Sequence, residues 1–379
     1  MRQQFFDLVV LVRRQASQHI FQIGIRIMSV ELGALNQTHH RSRTLPRTQG
    51  ACEQPIVATD VGESGKPELV RPEVRRDKLL NLIGNLPPCL IGMEACSGAH
   101  YWAREFQKLG HTVRIMAPQL VAPYRLGGRN VKNDAADAAA ICEAVARPNM
   151  RFVPIKTLEQ QSKLFVHCAH QGYVCERTAL INRVRGLLSE LGIILPPSQK
   201  AFKQGVHQVL EDLPGYCNLV IGEMLSELSN LEERIAQNEK TIAQLAREDE
   251  QAQRLMQLRG VGPTTATAIV ASIGNGHDFR NGRQFSAWLG LVPRQNSSGG
   301  KAKLGRITKA GDSYIRTLLV LGARSLLISA KDKKDPVSRW ALQLKERRGF
   351  GKAVVAIAAK NARMCWATLH LGDGFKMPA

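Results

Sequence analysis

Three acidic residues are spaced so that they could bind a divalent metal ion. Glu94 ends the apolar run CLIGME (89–94), which is typical of a buried strand, and sites in open α/β sheets gather at strand ends. Asp134 and Asp137 are three residues apart in an Ala-rich segment, so on a helix both carboxylates project from one face, with no cation nearby in sequence. Hard oxygen ligands select Mg²⁺ or Mn²⁺, which can assist displacement at a phosphodiester. A solvated acidic helix face is the alternative interpretation of the aspartate pair.

Two serines lie in a loop that is crowded with cations. Ser297 and Ser298 precede two glycines in the segment PRQNSSGGKAKLGRITK (293–309). Positive charge around a serine hydroxyl would stabilise a phosphate under attack, as an activated nucleophile requires. The segment is therefore a candidate nucleophile loop, with an ordinary flexible loop as the alternative. Its cations are Arg294, Lys301, Lys303, Arg306 and Lys309.

A Gly-rich turn in LRGVGPTTATAIVASIG (258–274) is a candidate phosphate contact. Gly260 and Gly262 separate two apolar helical segments, and Thr264 lies at the start of the second. The pattern is that of a helix-hairpin-helix, whose turn amides and helix N-terminus hold a phosphate without reading base sequence. An ordinary helical hairpin, in which the glycines only permit the turn, remains open.

The charge balance favours a polyanionic partner. The 379 residues include 52 Lys and Arg against 32 Asp and Glu, a net charge of +20. Residues 294–363 alone contribute 17 basic and 4 acidic side chains, or +13. Because neutralised phosphates supply most nonspecific affinity for nucleic acid, a basic C-terminal domain that faces DNA or RNA is expected. Ribosomal or anionic-membrane association is the alternative.

The elements that hold these residues read as an α/β domain followed by mainly α structure. Residues 1–55 lack clean periodicity, and order is expected from Ile56 onward, with two extended pieces around the turn GESGK (62–66). CLIGME, a helix near 101–109 and HTVRIMAP (111–118) follow as strand, helix, strand. The predicted divisions are an irregular N-terminus (1–55), an α/β domain (56–160), a helical middle (161–254) and a C-terminal domain (255–370).

The helical middle carries a heptad seam, which indicates a helical hairpin or a dimer contact. Asn238 is its one polar position, and the seam comprises Ile221, Met224, Leu228, Leu231, Ile235, Asn238, Ile242 and Leu245.

The cysteine pattern and the apolar runs are those expected of a protein in a reducing cytoplasm. The eight cysteines form no CxxC pair, so neither a zinc ribbon nor a disulfide framework is indicated. The early apolar run 8–12 is too short to span a bilayer and precedes no cleavage site. A cytoplasmic, nucleoid-associated protein with no membrane partner is expected.

The chain resembles the Asp-Glu-Asp-Asp transposases of bacterial insertion sequences. The resemblance extends from about residue 62 to 367 and is carried by LPPCLIGMEACSGAHYWARE, KNDAADAAAICEAV, RTALINRVRGLLSELGI, LRGVGPTTATAIVASIG and GRQFSAWLGLVPRQNSSGGKAKLGRITKAGDSYIRTLL. It implies a ribonuclease-H-like (RuvC-like) domain, a coiled-coil middle and a helical C-terminal transposase domain. It also implies Mg²⁺, double-stranded DNA, an element-encoded guide RNA and a homodimer or homotetramer.

The resemblance also assigns roles to residues. Glu94 matches the acidic Glu of the family, and Asp134 and Asp137 match its last two aspartates. The family's nucleophilic serine maps to the SSGG loop, where Ser298, directly before Gly299, is favoured over Ser297.

One departure concerns the first metal ligand. The family opens with a strand of the type Gly-(Ile/Leu)-Asp-Leu-Ala-Lys, and no such motif precedes Glu94. Asp60 is the nearest candidate, but the GESGKP that follows matches the family's hairpin turn, which comes well after the first Asp, so Asp60 is expected in that turn. One choice of codons for residues 43–49, read in a shifted frame, spells Asp-Leu-Ala-Lys-Asn-Thr. A local frameshift is therefore hypothesised, with residues 1–27 preceding the usual start near Met28.

Two other functions fit the same residues. A catalytically inactive member would still bind DNA through its hairpin and basic loop, and the missing Asp favours it. A junction-resolving nuclease of the same fold would have no use for the serine loop.

Overall fold

The computed structural model describes residues 8–14, 21–27, 56–61, 67–71, 76–125, 134–297, 299, 301, 303–331 and 333–372. For the first four of these segments and for residues 134 and 135 it describes the backbone only. The chain divides into two compact units, Met1–Thr157 and Leu158–Ala379. Most of the described residues are helical, and the first unit also contains a β-sheet with helices packed against it.

A seven-stranded sheet forms the centre of the first unit. Its strands are β1 (Leu8–Arg14), β2 (Phe21–Ile27), β3 (Ile56–Val61), β4 (Pro67–Arg71), β5 (Cys89–Glu94), β6 (Thr112–Met116) and β7 (Phe152–Val153). The order is β4-β3-β1-β2-β5-β6-β7. Strands β2, β5 and β6 are parallel neighbours, β1 is antiparallel to β2, and β1 is parallel to β3.

The first two strands correct the expectation that order begins at Ile56. Strand β1 contains the apolar run LVVLV, and β2 reads FQIGIRI, with an apolar residue at every second position. Both patterns are typical of strands, so the signal was present in the sequence. The proposed frameshifted segment, 43–49, lies outside the described residues.

Helices cover the two faces of the sheet. They are α1 (Leu79–Gly84), α2 (Ala99–Lys108), α3 (Pro118–Val121) and α4 (Asp134–Val145), with short 3₁₀ turns at Arg76–Lys78 and Ala122–Tyr124. Because side chains alternate along a strand, Ile91 and Met93 of β5 pack with α1 and α2. Leu90 packs with α4 on the other face, and the same alternation puts Gly92 and Glu94 on the α4 side.

The described residues of the second unit are mainly helical, with one hairpin of β8 (Pro293–Gln295) and β9 (Leu304–Ile307) among them. Its helices are α5 (Leu158–Glu190), α6 (Gln199–Leu210), α7 (Gly215–Glu248), α8 (Glu250–Met256), α9 (Pro263–Ile273), α10 (Gly282–Trp288), α11 (Ser313–Ser329), α12 (Pro336–Arg348) and α13 (Phe350–Leu371). Helix α9 is buried from Thr265 to Ile273 and lies in the core that α8 and α10–α13 build.

The heptad seam is buried within the chain. Helix α7 packs along α5 in an antiparallel pair. Five seam residues of α7 are buried, namely Ile221, Leu228, Leu231, Ile235 and Ile242. Asn238 is half-buried, and its amide donates to the carbonyl of Arg234 in its own helix. The seam therefore forms a helical hairpin.

None of the helices in the described part of the chain combines the length and the apolar character that a bilayer crossing needs.

Candidate functional site

Glu94 lies at the carboxyl end of β5 and is 6% exposed. The start of the same strand is fixed by His111, which is buried. The amide of Cys89 donates to Nδ1 of His111 at 3.3 Å, so Nε2 carries the proton and donates to the carbonyl of Ile83 at 3.0 Å. Burial lowers the pKa of His111, which keeps the ring neutral for this pairing.

Gly92 lets helix α4 lie tightly against β5. A Cβ at this position would come within 3.0 Å of Val145 and 3.1 Å of Ile141. Ala140 and Ala144 of α4 are buried in the same cluster as Ile141 and Val145, against which Leu90 of β5 packs. The Ala-rich composition of α4 therefore fits its buried position, and the close approach at Gly92 brings the helix near the end of β5.

Asp137 lies on α4 and is fully buried. Its Oδ1 is 2.6 Å from Nε of Arg125, and Nη2 of the same guanidinium is 3.9 Å from Oε1 of Glu94. Burial excludes the solvated-face interpretation for Asp137. The sequence pointed to no cation near the aspartate pair, and the fold supplies one for Asp137, because Arg125, which ends the Ala122–Tyr124 turn, lies between it and Glu94.

Asp134 is the first residue of α4, one turn before Asp137, as the sequence predicts. Its side chain lies outside the described set. Among the side chains that the structure does describe, no three of His, Cys, Asp and Glu come together as a metal site.

No described strand beside β5 brings a first aspartate to the site. Its neighbours β2 (FQIGIRI) and β6 (TVRIM) contain no acidic residue. Asp60 is not in the turn, as expected from sequence, but in β3, where it pairs with Val12 and Glu68. Strand β3 is three inter-strand spacings from β5, or about 14 Å, too far for Asp60 to share a metal with Glu94.

The serine segment is the tip of the β8–β9 hairpin. Ser297 Oγ accepts from Nε2 of Gln295 at 2.8 Å and from the amide of Lys303 at 3.4 Å. Ser298 lies outside the described residues. The five cations of the segment are all exposed: Arg294, Lys301, Lys303, Arg306 and Lys309.

The base of the hairpin is held by residues that the sequence did not single out. A Cβ at Gly290 would be 2.4 Å from the amide nitrogen of Ala310, and both Gly290 and Gly311 have positive φ angles. The guanidinium of Arg316 donates to the carbonyls of Leu289 and Ala310, one on each side of the base. These contacts hold the two ends of the hairpin together and so fix where its serine tip leaves the helical core.

The α8–α9 turn has its own packing role. Gly260 has φ +80°, and a Cβ there would be 2.8 Å from the carbonyl oxygen of Gly322 in α11. Gly262, by contrast, is exposed at the start of α9, and Thr264 is half-buried. Gly260 is thus required for the contact with α11, while Gly262 is accessible from solvent.

Two family models match the chain, and both define the class as transposases. One, described as "Transposase", matches residues 66–193, which include Glu94, Asp134 and Asp137. The other, "Transposase IS116/IS110/IS902 family", matches residues 252–337, which include the α8–α9 turn and the serine hairpin.

Similar proteins span most of the chain. It is 47% identical over 304 residues to a "Probable family 20 transposase" of Pseudomonas aeruginosa, covering 79% of this chain and 89% of that protein. It is 40% identical to the "Transposase for insertion sequence element IS1111A" of Coxiella burnetii, over 84% and 88% of the two chains. For the IS1328 transposase of Yersinia enterocolitica the identity is 34%, over 81% and 91%. The chain therefore belongs to the IS116/IS110/IS902 transposase family.

Proposed function

We propose that this chain is a DNA transposase that moves an insertion sequence by metal-assisted, serine-mediated phosphoryl transfer. The observation that carries the proposal is the pair of buried carboxylates, Glu94 and Asp137, held on facing elements in a chain of this family. Asp and Glu side chains are seldom buried unless they are paired, and buried carboxylates that lie close together are typical of functional sites.

The carboxylates fit a divalent cation. Their oxygens are hard ligands, and Glu94 and Asp137 already share one positive group. Glu94, Asp137 and Asp134 would hold Mg²⁺ or Mn²⁺, which when bound supplies Lewis-acid activation of a scissile phosphate. The packing of α4 on β5 through Gly92 orients the carboxylates before any metal binds.

Ser298 is proposed as the nucleophile. The hydroxyl would lose its proton as its oxygen forms a bond to phosphorus, the bond from phosphorus to one deoxyribose oxygen would break, and the leaving deoxyribose oxygen would take up a proton. Ser297 is less suited, because its Oγ already accepts two hydrogen bonds at the neck of the hairpin. The exposed cations of the hairpin would stabilise the phosphate under attack.

The partners of the chain are proposed to be DNA at the element ends and target, an element-encoded guide RNA and further copies of itself. The exposed Gly262 and Thr264 turn and the basic hairpin would contact phosphates. Apolar side chains at the start of α7 would contribute to a homo-oligomer, since Tyr216 is 88% exposed and Leu219 58% exposed. RuvC-like architecture, a coiled-coil role for α5 and α7 and nucleoid association belong to the same proposal.

The test of the nucleophile uses two neighbouring serines. Ser298→Ala is expected to abolish strand transfer while DNA affinity stays at the wild-type value, because the cations remain. Ser297→Ala is the matched control and should keep transfer. Strand transfer by Ser298→Ala would remove this residue from the role.

A second candidate is a catalytically inactive DNA-binding member of the family. It is favoured by one observation, namely that neither strand beside β5 contributes an acidic residue. A metal-dependent excision assay on the purified chain separates the two functions: the inactive protein shifts DNA in a gel but never cuts it.

A further inference from the structure

Arg125 occupies the space between the two carboxylates that the proposed function assigns to metal binding. Its guanidinium lies 2.6 Å from Asp137 and 3.9 Å from Glu94, and its side chain is 25% exposed. Both carboxylates are less than a tenth exposed. The arginine therefore reaches from solvent into a site where two negative charges are close together.

A single guanidinium and a divalent cation cannot occupy this space together. Both would bind the same carboxylate oxygens, and both carry positive charge, so their close approach in a buried site is strongly unfavourable. The carboxylates, in turn, are costly to leave without a counter-charge, because a buried charge that loses its partner destabilises the fold. One cation must therefore replace the other.

We infer that Arg125 is a positioning residue that closes the metal site in the metal-free chain and leaves it when Mg²⁺ or Mn²⁺ binds. This inference rests on the proposed function. In the closed state the arginine offsets part of the negative charge of Glu94 and Asp137 and holds Asp137 in place. The apparent affinity for metal is then reduced by the fraction of molecules whose site is open.

The test measures Mn²⁺ alone, by titration with detection of free Mn²⁺ by electron paramagnetic resonance, on the full chain without DNA. If the closed state holds nine-tenths of the molecules, Arg125→Gln binds Mn²⁺ about tenfold more tightly than the wild type. Arg147→Gln is the matched control, because Arg147 is an exposed arginine two residues after α4 that pairs with Glu143 of that helix. The Mn²⁺ affinity of this variant should equal that of the wild type.

Thermal melting gives a second readout that does not depend on activity. In EDTA, Arg125→Gln is expected to melt below the wild type, and Mn²⁺ should raise its melting temperature more than that of the wild type. Arg125→Lys keeps one positive charge in the site, so it serves as a second variant in case Arg125→Gln does not fold. The Mn²⁺ affinity of Arg125→Lys should lie between those of the wild type and Arg125→Gln.

The outcomes separate the inference from the function on which it rests. In one outcome, Glu94→Gln abolishes the Mn²⁺ binding of the wild type, but Arg125→Gln leaves that binding unchanged or weakens it. This result overturns the role of Arg125 and leaves the metal site intact. Absence of Glu94-dependent binding in both the wild type and Arg125→Gln overturns the metal site and, with it, the inference.

Discussion

The ion pair of Arg125 and Asp137 has one partner with no exposed surface and one that is three-quarters covered. Removing Asp137 leaves the partly covered guanidinium of Arg125 without its shorter contact, and Glu94, 3.9 Å away, is the one of the two carboxylates that remains. The same helix offers a comparison, because Glu143 pairs with Arg147 where both side chains are substantially exposed.

We predict that Asp137→Ala lowers the free energy of unfolding by about 1.5–3 kcal/mol, the usual contribution of a hydrogen bond to a charged group, because Glu94 still faces the guanidinium. Glu143→Ala should change it by no more than about 1 kcal/mol, because exposed pairs contribute little. Urea denaturation followed by circular dichroism measures both. Equal effects of the two substitutions would contradict the buried character of the Asp137 pair.

At the residue scale the sequence predicts the positions of the candidate ligands better than their surroundings. Glu94 and Asp137 follow from a strand end and a helical spacing, and both lie where those patterns put them. Arg125 could not be predicted, because its role depends on the tertiary approach of a short turn to a helix and a strand. Gly92 carried a signal in the sequence, since a glycine inside a buried strand indicates a close approach.

Among the elements, three helices of the second unit are joined by one buried histidine. His167 of α5 is 1% exposed, with Nε2 3.0 Å from Oγ1 of Thr267 in α9 and Nδ1 3.0 Å from the hydroxyl of Tyr314 in α11. Thr267 donates its own proton to the carbonyl of Pro263, so it accepts from Nε2 and Tyr314 donates to Nδ1. Burial lowers the pKa of His167 to about 4 and raises that of Tyr314 to about 12.

This arrangement predicts a loss of stability in acid. Between pH 6.5 and about 4 the unfolded chain binds a proton at His167 that the folded chain does not, so stability falls as the pH falls. At pH 5 the contribution is about 2 kcal/mol. We expect His167→Gln to reduce the difference in unfolding free energy between pH 7.5 and pH 5 by that amount.

The matched control for this measurement is His207→Gln on α6, where the histidine is exposed. It should retain the wild-type difference between the two pH values. His100 and His111 of the first unit also have lowered pKa values, so some pH dependence remains in every variant. An unaltered difference in His167→Gln would remove His167 as its source.

At the element scale the sequence predicted the long helices and missed the first strands and the hairpin. The α7 seam is a strong periodic signal because it repeats over several turns. The β8–β9 strands have three and four residues, mostly exposed, so they leave almost no periodic pattern. The base of the hairpin is instead set by tertiary contacts, in which Gly290 lies against Ala310 and Gly311 against Trp288.

For the whole molecule, the positive charge is concentrated in the C-terminal part of the chain, with five exposed cations on one short hairpin. Each phosphate contact that is lost should reduce the slope of log affinity against log salt by about 0.9. Replacing Lys301, Lys303 and Arg306 together by Gln is therefore expected to reduce the slope by up to about 3. Fluorescence anisotropy on duplex DNA over a salt series measures it.

The control replaces three exposed cations of the long-helix region, Arg183, Lys200 and Lys240, and so changes net charge equally. If both triple variants lose the same slope, total charge rather than the hairpin determines DNA affinity. The net charge of +20 alone cannot tell whether total charge or the hairpin cations determine DNA affinity, because it does not show which cations lie on the same surface.

The position of β2 beside β5 has a consequence for how such a gene can change. Sheet pairing needs only backbone amides and carbonyls, which almost every residue supplies, so a strand without an acidic residue completes the sheet. In the proposed mechanism, by contrast, catalysis at the same place would depend on one acidic side chain. A mutation that replaces this strand can thus abolish chemistry and leave a folded protein, and proteases that recognise unfolded chains would not distinguish it from an active enzyme.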